Sequence, residues 1–575
     1  MARTIPVQDG AEALVELLVS SGVKHVFINS GTDTFPVLEA IARMVEQERL
    51  VPQVIQCLDE RTAMAAAHGY YQATGVPQVA MVHVDAGTMN IGGAYHNAQR
   101  DHAGVVVMAG RAPATIASGV HGERDNLIHW GQEQRDQAGP VRTFTKWDYE
   151  LRRPESMHLV IRKAFQTASA SPAGPVYLML PRELLLGRME TVPLPEPSRH
   201  AAPVTPAADP AALAKAAGWL LEAERPVIFP GAVGRNPAAV PALVSLAEAL
   251  GAAVATDRAR PRMSFPSTHP LFMGADARTL AQADVVLVLD ADVPWIPGKG
   301  GPGEDARIIW VDEDPAKDTI PLWTFAADLL IHADTAKALP ALRDAVLAQR
   351  TSAQEARGRT RAAAITAAAK KVREGATEKA RQTKDTSPIT PDWLAACLNE
   401  ALSPETVLLM EAVSSSGEVS ALVERTVPGT LYQSGGSSLG WAMGAAIGHK
   451  LADPSREVVA LVGDGTFVFS APTACLWGAE RHGTPFLTVI FNNAMHYATK
   501  RALRGGVADS ASERTGRWEG IDITPSPDYA VLAQASRAYG EKVEDPNQVP
   551  PALQRALEQV RAGRCAVLDV RIKRF

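Results

Sequence analysis

The sequence predicts an α/β protein made of three doubly wound parallel-sheet domains. Three observations point there. Short apolar, β-branched runs alternate with amphipathic or alanine-rich stretches along nearly the whole chain. Several runs stop abruptly at glycine and polar residues, as strands do where a parallel sheet meets its ligand. Two stretches of linker composition divide the chain: proline-rich Val192 to Pro210, and Gln349 to Thr386, rich in Ala, Arg, Lys and Glu. They suggest domains over residues 1–190, 205–348 and 387–575, with a solvated helical linker over 349–386. The total of 575 residues suits three or four domains.

In the first domain, Ala11–Ser21 reads as an amphipathic helix, and His25–Ile28 as a strand running into Asn29-Ser30-Gly31-Thr32. Val54–Leu58 is a strand followed by Asp59-Glu60 and the alanine-rich helix Arg61–Thr74. A carboxylate there among small apolar residues is a candidate for a raised pKa. It is equally a helix-start charge favoured by the dipole, and position alone leaves both open. Gln78–His83 ends at His83-Val84-Asp85. Val105–Ala109 and Val176–Leu180 are further strands. A lone histidine after a strand is more often a packing residue than a catalyst. His96, His102, His121 and His129 show no metal-ligand spacing.

The second domain has strands at Pro226–Phe229, Val254–Thr256, Val285–Leu289 and Ile308–Val311. The turn Pro230–Gly234 lacks the full G-x-G-x-x-G pattern, which makes a nicotinamide oxidoreductase a poor reading.

The third domain carries the chemistry. Thr406–Met410 leads into a hydroxyl-rich helix start at Ser414 and Ser415, which suits a diphosphate or a plain N-cap. Val458–Val462 stops at Gly463-Asp464-Gly465, Ser470 to Glu480 suits a helix, and Phe486–Phe491 stops at Asn492-Asn493. A GDG turn alone is common. A double Asn at the end of the next strand, roughly one β-α-β unit later, places Asp464 and Asn493 side by side. Those hard oxygens suit Mg²⁺ on a diphosphate. A final strand spans Cys565–Val570.

The charge balance, 57 basic against 63 acidic residues, gives no reason to expect nucleic acid as a partner. No apolar run is long enough to span a membrane, and no signal-peptide core precedes the first helix. Four scattered cysteines suggest free thiols and a cytoplasmic location.

The GDG and NN elements together resemble the diphosphate–Mg²⁺ motif of thiamine diphosphate enzymes, the group of acetolactate synthase, pyruvate decarboxylase and benzoylformate decarboxylase. The resemblance runs from about residue 8 to the end of the chain. It implies pyrimidine-binding, central and diphosphate-binding domains. It implies Mg²⁺ held by Asp464, Asn493 and the backbone carbonyl of Met495, and cofactor contacts from Ser414, Ser415, Gly463, Gly465 and Thr466. Leu439, in LYQSGGSSLGWAMGAAIG, matches the bulky residue that wedges the cofactor into a V shape. LDERTAMAAAHGYYQATG resembles the segment of the cofactor-activating glutamate, so Glu60 would bond N1′ of the aminopyrimidine.

HVDAGTMNIGGAYHNAQRDHAGVVVMAG resembles the benzoylformate decarboxylase branch, whose segment opens with a catalytic His in H-x-x-A-G-T, here His83. Asp85 stands where that branch has a small residue, and a carboxylate there is placed to alter the His83 pKa or the substrate preference. RMSFPSTHPLFMG resembles the loop lending a second catalytic His, here His269. Asn29 and Thr32 lie in what resembles the substrate-side loop. The central domain of this family binds FAD in some members, ADP or coenzyme A in others, and nothing in many; no residue here settles which. The resemblance further implies an active site between two subunits, hence a homodimer at least and commonly a homotetramer. The implied function is decarboxylation of a 2-oxo acid through a C2 ylid and an enamine, as in benzoylformate decarboxylase. An acetolactate-synthase-like carboligase or a 2-hydroxyacyl-CoA lyase is the alternative.

Overall fold

Parallel strands buried on both faces form the frame of all three domains. The computed structural model describes residues 3–194, 196, 199, 201–257 and 260–574. Among these are three six-stranded sheets, each parallel throughout and covered by helices. In the first, the strands lie in the order Gln53–Gln56, His25–Ile28, Gln78–Val82, Val105–Arg111, Val176–Pro181, Asp148–Glu150. In the second the order is Phe272–Gly274, Ala253–Ala255, Pro226–Pro230, Val285–Leu289, Arg307–Asp312, Leu329–His332. In the third it is Leu431–Tyr432, Val407–Glu411, Val458–Gly463, Leu487–Asn492, Ala566–Arg571, Tyr539–Val543.

The expected linkers carry more structure than their composition suggests. Thr191–Leu194, at the start of the proline-rich connector, is a strand that pairs antiparallel with Arg3–Pro6. Residues 195, 197, 198 and 200 of that connector lie outside the described residues. The Ala/Arg/Lys/Glu stretch is one helix, Ser352–Gln382, opened by a capping box between Thr351 and Gln354. It is not wholly solvated. Gly358, Ala369 and Ala380 are buried, and Arg361 donates to the carbonyls of Ala223, Leu250 and Gly251 in the central domain.

The first and third domains meet through two helices. Glu60–Thr74 is capped by the Asp59 carboxylate at its start and stopped by Gly75 at φ +69°. Ala442–Ala452 packs against it across a seam of small residues. A Cβ on Gly448 would lie 2.0 Å from the Ala66 carbonyl oxygen, and one on Gly69 would lie 2.3 Å from that of Ala445. The helix backbones therefore touch, and only glycine fits at these points. Gly448→Ala should lower the urea midpoint of unfolding by the equivalent of about 2 kcal/mol or more. Gly375→Ala, whose Cβ would meet nothing within 4 Å on the long helix, should leave it unchanged or raise it slightly.

Candidate active site

A cavity of about 470 Å³ opens where three strands of the third sheet end. Its lining comes from residues 410–416, 433–439, 463–466 and 491–499. The structure thus brings Ser414, Ser415, Leu439, Gly463, Asp464, Gly465, Thr466, Asn493 and Met495 to one place. Asp464 is buried, one residue past its strand's last ladder position, and starts the short helix Asp464–Phe469. Its Oδ1 accepts the Gly465 N–H at 2.9 Å, and its Oδ2 is buried with no partner among the described residues. Burial pushes its pKa up.

The double Asn is divided by strand alternation. Asn492 turns away and donates to Asp569 at 2.6 Å, while Asn493 lines the cavity and accepts the Met495 N–H at 3.1 Å. The Ser415 hydroxyl is also buried and unpartnered among the described residues. One carboxylate with a free oxygen, one amide oxygen, a free hydroxyl and a helix start fit a magnesium diphosphate. Mg²⁺ needs few protein ligands when phosphate and water complete its shell.

A second cluster lies at the carboxyl edge of the first sheet. Glu60 opens its helix, and its Oε2 accepts from Asn90 Nδ2 at 2.5 Å. Gly87 faces its other oxygen, where a Cβ would come within 3.3 Å. His83 follows its strand, and its Nδ1 pairs with Oδ1 of buried Asp33. The second Asp33 oxygen accepts the N–H groups of Val84 at 3.2 Å and Gly110 at 2.9 Å. The hydrogen bond to Asp33 raises the His83 pKa, against a smaller opposing effect of burial.

Asp85 is not the carboxylate that sets the His83 pKa. Its side chain is buried on another side, where Oδ1 accepts the Gln134 N–H at 3.0 Å, and burial raises its pKa. Asp33, beyond the loop of Asn29 and Thr32, is the carboxylate that reaches the imidazole. Asn29 is half-buried and Thr32 exposed, and Gly31 between them lies against the His83 ring. His269 lies apart from both clusters. It pairs with Glu248 at 3.3 Å, packs edge-on to Phe265 and accepts the Leu271 N–H.

Neither Glu60, His83 nor His269 lines the cavity of its own chain. Glu411 does, and sequence reasoning passed over it. It is buried, and desolvation pushes its carboxyl up to about 7 although three backbone N–H groups pull the other way. Nothing in the residue pattern marks Glu411, Asp33 or Asn90, because their partners lie 29 to 50 positions away.

Because the folded-state pKa of His83 is raised, the Asp33 pair stabilises the fold fully below the unfolded value of about 6.5. That stability is lost as pH rises through the folded value. Asp33→Asn should move the His83 titration, followed by NMR, to lower pH and flatten this part of the stability profile. An unmoved titration would show that another group sets the histidine.

The chain matches three sequence models described as thiamine pyrophosphate enzyme domains. The N-terminal TPP binding domain matches residues 8–139, the central domain 213–342 and the C-terminal TPP binding domain 413–570. The acetolactate synthase large subunit of Mycobacterium tuberculosis is 27% identical over 580 residues, covering 99% of this chain and 96% of its own. Benzoylformate decarboxylase of Pseudomonas aeruginosa is 27% identical over 546 residues, covering 92% of each. Among solved structures, benzoylformate decarboxylase from Polynucleobacter necessarius superposes with a TM-score of 0.80 at 21% identity, over 99% of both chains. The 4-hydroxybenzoylformate decarboxylase of Rhodococcus jostii RHA1 gives 0.78 at 23%, also over 99% of both. At these identities the structures establish likeness of fold.

Proposed function

The chain belongs to the thiamine pyrophosphate enzyme family, and from that premise we propose that it is a thiamine diphosphate- and Mg²⁺-dependent 2-oxo acid decarboxylase of the benzoylformate decarboxylase kind. The observation that carries the cofactor reading is a pair of buried oxygens without a partner among the described residues, Asp464 Oδ2 and Ser415 Oγ, on the wall of one cavity. When bound, thiamine diphosphate supplies a carbon nucleophile for the substrate carbonyl and an acceptor for the electrons left by departing CO₂. The chain's own residues do the rest. Asp464, Asn493 and the Met495 carbonyl would hold Mg²⁺. Ser414, Ser415, Gly463, Gly465 and Thr466 would surround the diphosphate, and Leu439 would support the cofactor. Glu60, steadied by Asn90, would be the group that exchanges a proton with the aminopyrimidine of a bound cofactor. His83, oriented by Asp33, delivers the proton that completes the product.

Glu60 and His83 lie outside the cavity of their own chain, which supports a site completed by a second copy. A homodimer is then the minimum, and a homotetramer is compatible with it. We read Asn29, Thr32 and Asp85 as substrate-side residues, and His269, held by Glu248, as the second proton-delivering candidate beside His83. The protein is read as cytoplasmic; among the described residues no helix is long and apolar enough to cross a membrane.

The central domain enters this proposal with no assigned nucleotide, since its residues single out neither FAD, ADP nor coenzyme A. At the carboxyl edge of its sheet, Lys317 pairs with Asp292 and Asp312 at 2.9 Å each, and Arg235 with Glu313 at 3.1 Å. The acetolactate synthase relative, which covers 99% of this chain, keeps a carboligase as the second reading. Assay of CO₂, aldehyde and ligated product from a panel of 2-oxo acids and 2-hydroxyacyl thioesters separates the two.

Glu60→Gln should retain thiamine diphosphate and lose about two to four orders of magnitude in turnover. Asp464→Ala should fail to retain the cofactor at any practical Mg²⁺ concentration. Coexpression of the two inactive chains should restore about a quarter of wild-type activity, because half the dimers then carry one intact site. An inactive mixture would contradict the shared site, and tight cofactor binding by Asp464→Ala would contradict the metal assignment.

A further inference from the structure

The segment that carries Leu439 into the cavity joins the short edge strand Leu431–Tyr432 to the helix Ala442–Ala452. It has no regular structure of its own, yet its backbone is held on both sides of Leu439. On the near side, buried Asn97 of the first domain forms two hydrogen bonds with Ser438. Asn97 Nδ2 donates to the Ser438 carbonyl at 2.8 Å, and its Oδ1 accepts the Ser438 N–H at 3.1 Å. On the far side, buried Glu411 takes the next three N–H groups. Its Oε1 accepts from Gly440 at 2.9 Å and Trp441 at 3.1 Å, and its Oε2 accepts from Ala442 at 2.9 Å.

The surrounding contacts leave little room for another path. A Cβ on Gly436 would lie 2.4 Å from Asn97 Oδ1, and one on Gly93 would lie 2.1 Å from the Ser438 hydroxyl. Gly440 takes φ +97° with its Cα against the Phe469 carbonyl, a conformation that L side chains rarely adopt. The Trp441 indole donates to His68 Nδ1 at 3.1 Å, which ties the far side to the first domain as well.

We propose that Asn97 and Glu411 are positioning residues, a two-sided clamp that fixes the angle at which Leu439 enters the cavity. This deepens the functional reading and rests on it, since Leu439 matters only as the support beneath bound thiamine diphosphate. The geometry demands a carboxylate at 411. Three N–H donors converge on its two oxygens, and an amide would turn an NH₂ toward at least one of them. It also demands an amide at 97, where one donor and one acceptor are used together. The clamp lets the first domain set the floor of a cavity that none of its residues lines.

The test is a pair of double-mutant cycles. Glu411→Gln and Asn97→Ala are made singly and in a Leu439→Ala background. Thiamine diphosphate affinity is measured by equilibrium dialysis in excess Mg²⁺, and kcat and KM with a 2-oxo acid the enzyme accepts. Each single variant should weaken cofactor affinity about tenfold and lower kcat at saturating cofactor, with KM for the 2-oxo acid unchanged. In the Leu439→Ala background the same substitutions should change either quantity by no more than about twofold. Effects that add in full would overturn the clamp, because the residues would then act independently of Leu439. A wild-type protein that binds no thiamine diphosphate would overturn the functional reading and the clamp together; one that binds, with additive effects, would overturn the clamp alone. If Glu411→Gln does not fold, the Asn97 cycle decides by the same criteria.

Discussion

A buried carboxylate oxygen without a partner is costly, and among the described residues Asp464 Oδ2 is one such atom. The site follows from that constraint. The strand Val458–Gly463 ends by delivering the carboxylate to the cavity wall of the third domain, where the Gly465 N–H takes one of its oxygens and leaves the other free among the described residues. The Ser415 hydroxyl is left in the same condition on the neighbouring strand's exit. Water can satisfy such groups. A divalent cation with a diphosphate satisfies them better, because it neutralises the charge and uses the helix start beside it.

The second organising contact is the seam between the Glu60–Thr74 and Ala442–Ala452 helices. Its glycines bring two backbones together, and each helix begins beside a functional group. The first begins with Glu60. The second begins at the N–H groups that Glu411 holds, three residues beyond Leu439. The alanine-rich composition of the first helix is therefore what permits close approach. Large side chains at Ala65, Ala66 or Gly69 would separate the domains and loosen the loop that ends at Trp441.

What the sequence made legible follows burial. Central strands such as Val285–Leu289 and Val458–Gly463 are covered on both faces and read as unbroken apolar runs. The strands that escaped reading among the sheets are edge strands: Asp148–Glu150, Phe272–Gly274, Leu329–His332, Leu431–Tyr432 and Tyr539–Val543. They are short, and an edge strand needs less apolar cover. The site divides in a similar way. Asp464 and Asn493 were legible because strand ends and glycines mark them locally. Asp33, Asn97 and Glu411 were not, because each acts on backbone or imidazole groups far along the chain. Asp85 misled because it is close to His83 in sequence, while the fold turns its carboxylate toward Gln134.

The most direct measurement of the central claim is phosphorus NMR of thiamine diphosphate bound to the wild-type protein, with Mn²⁺ replacing Mg²⁺. If a cation bridges Asp464 and Asn493 to the cofactor, the paramagnetic ion must sit on the diphosphate. Both phosphorus signals of the bound fraction should then broaden severely, and chelation of the metal should release the cofactor. Sharp signals from tightly bound cofactor, or binding undiminished by a chelator, would contradict the account.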